Sequence, residues 1–221
     1  MASLRNRRFA DVPIARTLAV AVLAALTLAA CATGPRPSFD ADEPAQQATG
    51  DPAIDAVLER LDRVGVEQFT ADYTILTRLG AKESTATVVQ ADNSRRSITI
   101  NAVRFIDGSG TVATCNLATA ECEAVINDAR VSDVQVTHDF YGSSFARRLR
   151  VDAARSLSPA RGYTETIGGL PATCADVPVS GGTKVYCALD DGPLARYDGN
   201  DVLIELVALN PTPDETKFTT S

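Results

Sequence analysis

Short segments in which apolar and polar residues alternate recur through most of this chain, and this pattern restricts its fold more than any other feature. In residues 69–77, Phe69, Tyr73 and Ile75 alternate with polar residues, which is the period of a strand with one buried face. The other segments are rich in β-branched residues and are separated by turn formers. They cover residues 85–90, 97–106, 111–115, 122–126, 163–167, 184–189, 194–197 and 202–209. This pattern predicts an antiparallel meander.

Two segments have helical spacing instead. Asp51 and Pro52 suit an N-cap and a first turn, and the apolar residues that follow them predict a helix of about 14 residues that ends near Gly65. A second helix is predicted between Asp139 and Leu157. Helices that interrupt a run of antiparallel strands indicate an α+β fold.

Composition and charge limit the class of protein. Hydrophobic residues make up 45% and charged residues 22% of the 221, which suffices for one core and excludes a disordered chain. The formal net charge is -7, and without the four arginines and one aspartate of residues 1–30 it is -10. Such an acidic domain has no electrostatic attraction for nucleic acid or an anionic bilayer surface.

The first thirty residues have the pattern of a signal peptide. Four arginines precede the uncharged apolar run 18–30, whose 13 residues are fewer than the roughly 20 that a membrane-spanning helix needs. We therefore predict export with removal of residues 1–30.

This segment ends in Leu28-Ala29-Ala30-Cys31, which resembles the lipobox of bacterial lipoproteins. The resemblance implies cleavage after Ala30 and a diacylglyceryl group, with fatty acids such as palmitate, on the Cys31 sulfur. Two acyl chains, at about 0.8 kcal/mol per buried methylene, hold a protein on a membrane essentially permanently. The alternative is an ordinary cleavage site with an incidental cysteine.

Residues 32–50 combine proline, glycine, alanine and polar residues without an apolar repeat, which is typical of a flexible linker. The predicted organisation is a signal peptide at 1–30, a lipidated N-terminus and tether at 31–50, and a single domain at 51–221. The expected location is the outer face of the bacterial plasma membrane, or the outer membrane in a cell with two membranes.

Four cysteines remain once Cys31 is assigned to lipid, and an even number in an exported domain favours disulfides. We favour the nearest-neighbour pairs Cys115–Cys122 and Cys174–Cys187, although three pairings are open. The second bridge would join a loop containing Gly181 to the following strand. Spacings of six and twelve residues with a single histidine argue against zinc, and no metal site is predicted.

No catalytic residue or cofactor is predicted, and we expect the protein not to be an enzyme. His138, the single histidine, has no nucleophile motif around it and is interpreted as structural. The pair Asp190 and Asp191, beside Gly192, suits a hairpin turn better than a cation or sugar site. The arginine-rich part of the second helix is interpreted as a solvated face rather than an anion site.

Three segments, FTADY at 69–73, IGGLPATC at 167–174 and YCALDDGPL at 186–194, together with the order of elements, carry a family resemblance. The chain resembles the LolA/LolB-like superfamily over residues 51–218, including the LppX and LprG lipoproteins of mycobacteria and small actinobacterial lipoproteins. The resemblance implies a half-barrel, a curved antiparallel sheet covered by two or three helices that enclose a cavity for acyl chains.

Two functions follow from these observations. The first is binding or carriage of a lipid or glycolipid, with Phe69, Tyr73 and Ile75 as candidate ligand contacts. The second is a non-enzymatic module with a filled core that binds another protein of the cell envelope. Alternation of apolar residues fits both, because inward side chains can line a cavity or fill it.

Overall fold

A computed structural model describes residues 48–64, 67–92, 95–108 and 110–219. The predicted signal peptide, Cys31 and residues 31–47 of the predicted tether lie outside the described residues. The described strands form one antiparallel sheet of 11 strands in the order β6-β5-β4-β3-β2-β1-β11-β10-β9-β8-β7. Their bounds are β1 Phe69–Thr77, β2 Lys82–Gln90, β3 Arg96–Ile100, β4 Val103–Gly108, β5 Thr111–Asn116, β6 Glu121–Glu123, β7 Arg161–Ile167, β8 Leu170–Val179, β9 Gly182–Leu189, β10 Leu194–Asp198 and β11 Val202–Asn210.

The sheet consists of two meanders joined at its centre. Strands β1 and β11, the first and last along the chain, pair with each other and so join the two meanders. Thr77 lies opposite Val202 in this pair. The sheet is curved, since β7 contacts β11 although three strands lie between them in the sheet order. It does not close, because β6 and β7 form its two edges. The predicted α+β class with a curved antiparallel sheet is therefore confirmed.

Helices cover one face of this sheet, which we call the helix-facing side. They are α1 (Pro52–Leu61), α2 (Ser143–Ala153) and a 3-10 helix at Asp128–Val134. The Asp51 side chain caps α1 by accepting from the backbone N–H groups of Ala53 and Ile54 at 3.0 and 3.3 Å. Both α-helices are shorter than predicted. At α2 the reason is local, because the carbonyl of Asp139 accepts from the N–H of Gly142 and makes a turn before the helix begins.

The prediction of one strand over residues 97–106 is wrong. Asn101 has a φ of 52°, in the left-handed region, and turns the chain between β3 and β4. Its side chain fixes this turn, accepting from the N–H of Thr85 at 3.1 Å and donating to the hydroxyl of Ser84 at 3.0 Å. Asparagine adopts this conformation because its short polar side chain bonds locally.

Strand β8 was not expected from the sequence. It contains Pro171 and Pro178, which lack an N–H group and obscure the strand pattern, yet both pair near the ends of the strand. Cys174 therefore lies inside a strand and not in a loop, which corrects the expected placement of its bridge.

The helix-facing side carries the main core. Its strand residues are nearly inaccessible to solvent and include Phe69, Ala71, Tyr73, Ile75, Val88, Ile98, Ile100, Phe105, Ala175, Val177, Tyr186, Tyr197 and Ile204. The amphipathic spacing of α1 places Ile54, Val57, Leu58 and Leu61 against it.

The C-terminal segment, residues 211–219, crosses the opposite face of the sheet. Thr70 anchors it, its hydroxyl donating to the carbonyl of Thr212 at 2.9 Å and accepting from the N–H of Asp214 at 2.8 Å. The segment ends in a 3-10 helix, Glu215–Phe218, and Phe218 packs on a second small cluster formed by Ile106, Ala113 and Cys115. Among the described residues, no helix is long and apolar enough to cross a bilayer.

Candidate functional site: the helix-facing side of the sheet

The three residues predicted to contact a ligand lie side by side on the helix-facing side of β1. Phe69, Tyr73 and Ile75 are each 2% exposed or less, and strand periodicity places all three on one face. The sequence predicted that these three side chains share one buried face, and the structure agrees with that placement. A role in ligand binding remains a proposal.

An aromatic lid, which we define as residues 128–142, covers these side chains. Phe140 meets Tyr73 edge to face with ring centroids 5.2 Å apart, and Tyr141 meets Phe69 in the same way at 6.1 Å. Such contacts add about 0.5–1.5 kcal/mol per pair beyond the area that they bury. The hydroxyl of Thr77 donates to the carbonyl of Val134 at 3.3 Å and ties the lid to the end of β1. The lid thus closes directly on the strand.

Two phenol groups are buried where this lid meets the sheet, and they differ in their hydrogen bonding. The Tyr141 hydroxyl donates to Oε1 of Gln90 at 3.2 Å, and burial raises the pKa of Tyr141 to about 12. Burial also raises the pKa of Tyr73, whose hydroxyl has no hydrogen-bond partner among the described residues. Tyr73 is therefore a buried polar group without compensation.

Helix α2 fills the second half of this side. Phe145 packs against Tyr197 with ring centroids 4.7 Å apart, and Tyr197 packs against Tyr186 at 4.9 Å. Asp152, at the end of α2, accepts from Nζ of Lys184 at 2.7 and 2.8 Å and from the hydroxyl of Tyr186. These bonds satisfy a buried carboxylate and hold the helix on β9.

The arginine-rich segment is a solvated face only in part, because Arg147 and Arg155 are exposed as the sequence suggested, whereas Arg148 and Arg150 are partly buried. Arg148 makes two bonds to Asp201, at 2.8 and 2.7 Å, and stacks over Tyr197 at 4.6 Å. Arg150 pairs with Asp62 beyond α1. Because these guanidinium groups are already paired and partly buried, they fix α2 in place and do not form an open anion site.

Side chains of the protein itself pack beneath the helices, and a surface groove of about 470 Å³ that Ser132, Phe145 and Arg148 help to line separates the lid from α2. Phe69 and Ile75 each reach the wall of a surface groove, with volumes of about 330 and 420 Å³, but these are two separate grooves and Tyr73 lines neither. The three candidate residues share a wall of the core. Phe69 and Ile75 emerge at different grooves, and Tyr73 emerges at neither.

The remaining polar candidates have structural partners. Nδ1 of His138 lies 3.1 Å from each carboxylate oxygen of Asp128, and its ring packs near Phe105. Asp190 accepts from Nε of Arg60 at 2.8 Å. Gly192, with a φ of 108°, makes the β9–β10 turn, as its sequence context indicates.

Both favoured cysteine pairs are bonded in the structure, Cys115 to Cys122 and Cys174 to Cys187. The first joins β5 to β6 and the second joins β8 to β9, each between residues directly opposite in register. The carboxylate of Glu165 lies within 4.8 Å of the Cys174 and Cys187 sulfurs. Since both sulfurs are in a disulfide, they are not thiolates for a metal.

The sequence predicted the strand at 163–167, which the structure shows as β7, but not that β7 forms an edge of the sheet. The Cα atoms of Cys174 and Cys187 are 4.0 Å apart, the spacing of a pair that exchanges no hydrogen bonds, so the peptide groups of Cys174 face β7 and bond to Tyr163. It follows that Gly162, Thr164 and Thr166 direct their N–H and C=O groups to the open edge of the sheet. Finding this edge required strand β8, which the sequence did not indicate.

In the part of the chain that the structure describes, fold and site together define a small α+β domain with an open sheet, side chains packed beneath the helices and one long edge strand, β7, without a paired neighbour on its outer side. Comparison with models of protein families and with curated proteins finds no match. Solved structures do show a likeness. One is the MucA/MucB complex of Pseudomonas aeruginosa, with a TM-score of 0.49, 12% identity, and coverage of 76% of this chain and 60% of that chain.

A crystal structure of MucB gives a TM-score of 0.47 at 14% identity, with 77% of this chain and 63% of that chain covered. A putative outer membrane lipoprotein-sorting protein domain from Vibrio parahaemolyticus gives 0.34 at 9% identity, with 75% and 95% covered. The chain thus spans about three fifths of the length of the MucB structures that it matches. Likenesses of this strength assign neither a function nor a partner to this chain.

Proposed function

We propose that this protein is a lipid-anchored, non-enzymatic binding module of the bacterial cell envelope that pairs an extended segment of a partner protein with strand β7. The observation that carries the proposal is the free edge of β7. Addition of a strand to such an edge gives affinity through main-chain hydrogen bonds and specificity through alternate side chains. The filled helix-facing side supports a surface function over internal carriage.

The two edges of the sheet differ in a way that favours β7. Strand β6 has three residues and is bonded through Cys122, whereas β7 has seven. Proteins commonly protect a long edge with a cover, a bulge or a proline. The side chains of Thr164 and Thr166 are exposed, so a strand pairing with β7 would meet small polar groups.

Two substitutions at one position test this proposal. Thr164→Pro removes an outward N–H that no neighbouring strand uses, so the fold should tolerate it, while Thr164→Ala keeps that N–H. With a photocrosslinking residue at position 166 of the full chain in cells, we expect a discrete crosslinked protein that Thr164→Ala retains and Thr164→Pro loses. Equal crosslinking in both variants, with matching thermal midpoints, would contradict strand addition.

Lipid binding is a second candidate, favoured by the Tyr73 hydroxyl. A buried hydroxyl without a partner costs about 1–3 kcal/mol, and the polar group of an amphiphile admitted by movement of the aromatic lid would satisfy it. Tyr73→Phe should therefore raise the free energy of unfolding by about 1 kcal/mol and reduce retention of lipid.

The test offers radiolabelled phospholipid or glycolipid to the delipidated full chain. Tyr141→Phe is the matched control, since it removes a hydroxyl that is already bonded to Gln90 and should lower stability instead. Retention by the native chain that falls in Tyr73→Phe supports the candidate. No retention of any lipid class by the native chain argues against it.

We also propose that Cys31 carries the lipid and that residues 32–50 tether the domain to the outer face of a membrane. The pattern of residues 1–31 supports this proposal. Metabolic labelling with palmitate should mark the native chain, and Cys31→Ala should abolish the label and release the protein from the membrane fraction. An unlabelled native chain would refute the anchor.

A further inference from the structure

We infer that one end of the sheet faces the lipid surface when the chain is anchored and that Leu79 and Leu157 contact it. This inference rests on the proposed anchor at Cys31 and goes beyond it by assigning an orientation to the domain. We call this end the turn rim, defined by the turns at 78–81, 101–102, 117–120, 180–181 and 199–201 and the loop 154–160.

Antiparallel pairing places all these turns at the same end of their strands, and hydrogen bonds connect them. The N–H of Arg78 donates to the carbonyl of Asp201 at 2.8 Å, and the Asn200 side chain donates to the carbonyl of Gly181 at 3.3 Å. The N–H of Leu157 donates to the carbonyl of Pro178, beside the same turn, at 2.9 Å. The β1–β2, β10–β11 and β8–β9 turns and the 154–160 loop are thus neighbours.

Exposed leucines are concentrated on this rim. Leu79 at the β1–β2 turn is 89% exposed, Leu157 is 72% exposed, and Leu117 at the β5–β6 turn is 40% exposed. The described turns at the opposite end carry Asp92, Gly168, Gly169 and Asp190, and the exposed large apolar residues near them are Val112 and, in the segment after β6, Val125. Transfer of an exposed leucine side chain at a hairpin tip from water into an apolar phase lowers the free energy of the system.

The position at which the chain enters the domain indicates that the rim contacts the lipid bilayer. The Asp51 carboxylate accepts from the N–H of Ala160 at 2.7 Å, which fixes the start of α1 beside the loop that holds Leu157. Residues 32–47, between the predicted anchor and the first described residue, have an expected root-mean-square reach of about 20–25 Å when flexible. A connection of this length to an anchor at Cys31 would keep the start of α1, and with it the rim, nearer to the bilayer than the opposite end of the domain.

Charges on the rim indicate apolar rather than electrostatic contact. Arg78 is paired with Asp198 and Lys82 with Asp133, whereas Arg155, two residues before Leu157, is exposed and has no ion pair among the described residues. Glu83 and Glu121 are exposed there as well. Binding through this rim should consequently be indifferent to the fraction of anionic lipid.

The test uses the acylated full chain on phosphatidylcholine vesicles, with a fluorophore attached to one introduced cysteine. The labelled variants are Leu79→Cys, Leu157→Cys and, as a control at the opposite end, Asp191→Cys. Quenching by nitroxide-labelled phospholipid should be at least threefold stronger at positions 79 and 157 than at 191, with or without anionic lipid.

Equal quenching at the three positions, or stronger quenching at 191, overturns the orientation. Failure of the anchor gives a different result, because the protein would then not float with the vesicles, and that outcome overturns both proposals. Thermal midpoints of the labelled variants should match that of the native chain, since all three positions are exposed.

Discussion

Single buried polar residues determine how the helices are held on the sheet. Asp139, at the start of the turn into α2, accepts from the hydroxyls of Thr137 and Ser143 at 2.7 and 2.6 Å and from Arg147 at 2.9 Å. Burial acts to raise its pKa, but these hydrogen bonds and the neighbouring cations outweigh burial and hold the pKa of Asp139 below its ordinary value. The carboxylate form is thus part of the folded structure.

This makes the stability of the domain sensitive to acid at one position. Because the pKa is lower in the folded state, the carboxylate stabilises the fold above the unfolded value of about 3.9, and this contribution is lost as pH falls through the folded pKa. Asp139→Asn should lower the free energy of unfolding at pH 7 and flatten its decline below about pH 4. Urea denaturation at pH 7, 4 and 3 measures this, with Asp191→Asn as the control for loss of one charge. Parallel acid profiles for Asp139→Asn and the native chain would contradict the assignment.

At the level of elements, the C-terminal segment acts as a strap over the outer face of the sheet. The hydroxyl of Ser97 donates to the carbonyl of Lys217 at 2.6 Å, and Arg95 lies over the ring of Phe218 at 4.7 Å while pairing with Glu215. Phe218 in turn covers the second apolar cluster. A surface that would otherwise expose Ile106 is closed by the last described residues.

Phe218→Ala should therefore destabilise the whole domain. Since the ring is partly exposed, we expect a loss of about 1–2 kcal/mol in the free energy of unfolding, less than for a fully buried phenylalanine. Leu157→Ala, at an exposed position, is the control and should change stability by less than about 0.5 kcal/mol. An effect of Phe218→Ala as small as that of the control would show that the strap is dispensable.

Local pattern predicted some elements and missed others for identifiable reasons. Helix α1 and strand β1 follow from their periods, because each has one buried face and strong local signals. The β3–β4 turn was missed because Asn101 interrupts a run of β-forming residues without a glycine or proline beside it. Strand β8 was missed because Pro171 and Pro178 argue against a strand unless they lie near its ends.

For the whole molecule, alternation could not distinguish a filled interior from a hollow one. It placed Phe69, Tyr73 and Ile75 on the buried side, but whether they meet a ligand or a lid depends on residues far away in the chain, such as Phe140 and Tyr141. The free edge of β7 likewise depends on the order of eleven strands. Both are properties of long-range packing, which a local period does not encode.

The two bridges should respond differently to a reductant. Cys122 is exposed at the sheet edge, whereas Cys174 and Cys187 are fully buried, so a thiolate should reach the Cys115–Cys122 bond first. Each bridge closes a short loop and should contribute about 2–3 kcal/mol to the free energy of unfolding. Alkylation and mass spectrometry over a titration with dithiothreitol would follow the order, and earlier opening of Cys174–Cys187 would refute it.

The pairing of β1 with β11 has a consequence for biogenesis. A polypeptide that crosses an export channel from its N-terminus delivers β1 early, and β11 emerges more than a hundred residues later. Until then β1 has no neighbour on one side, and its exposed backbone can pair with other chains. If the chain is exported as proposed, it would be most vulnerable to aggregation before β11 emerges, and a chaperone would find its binding segment at the future centre of the sheet.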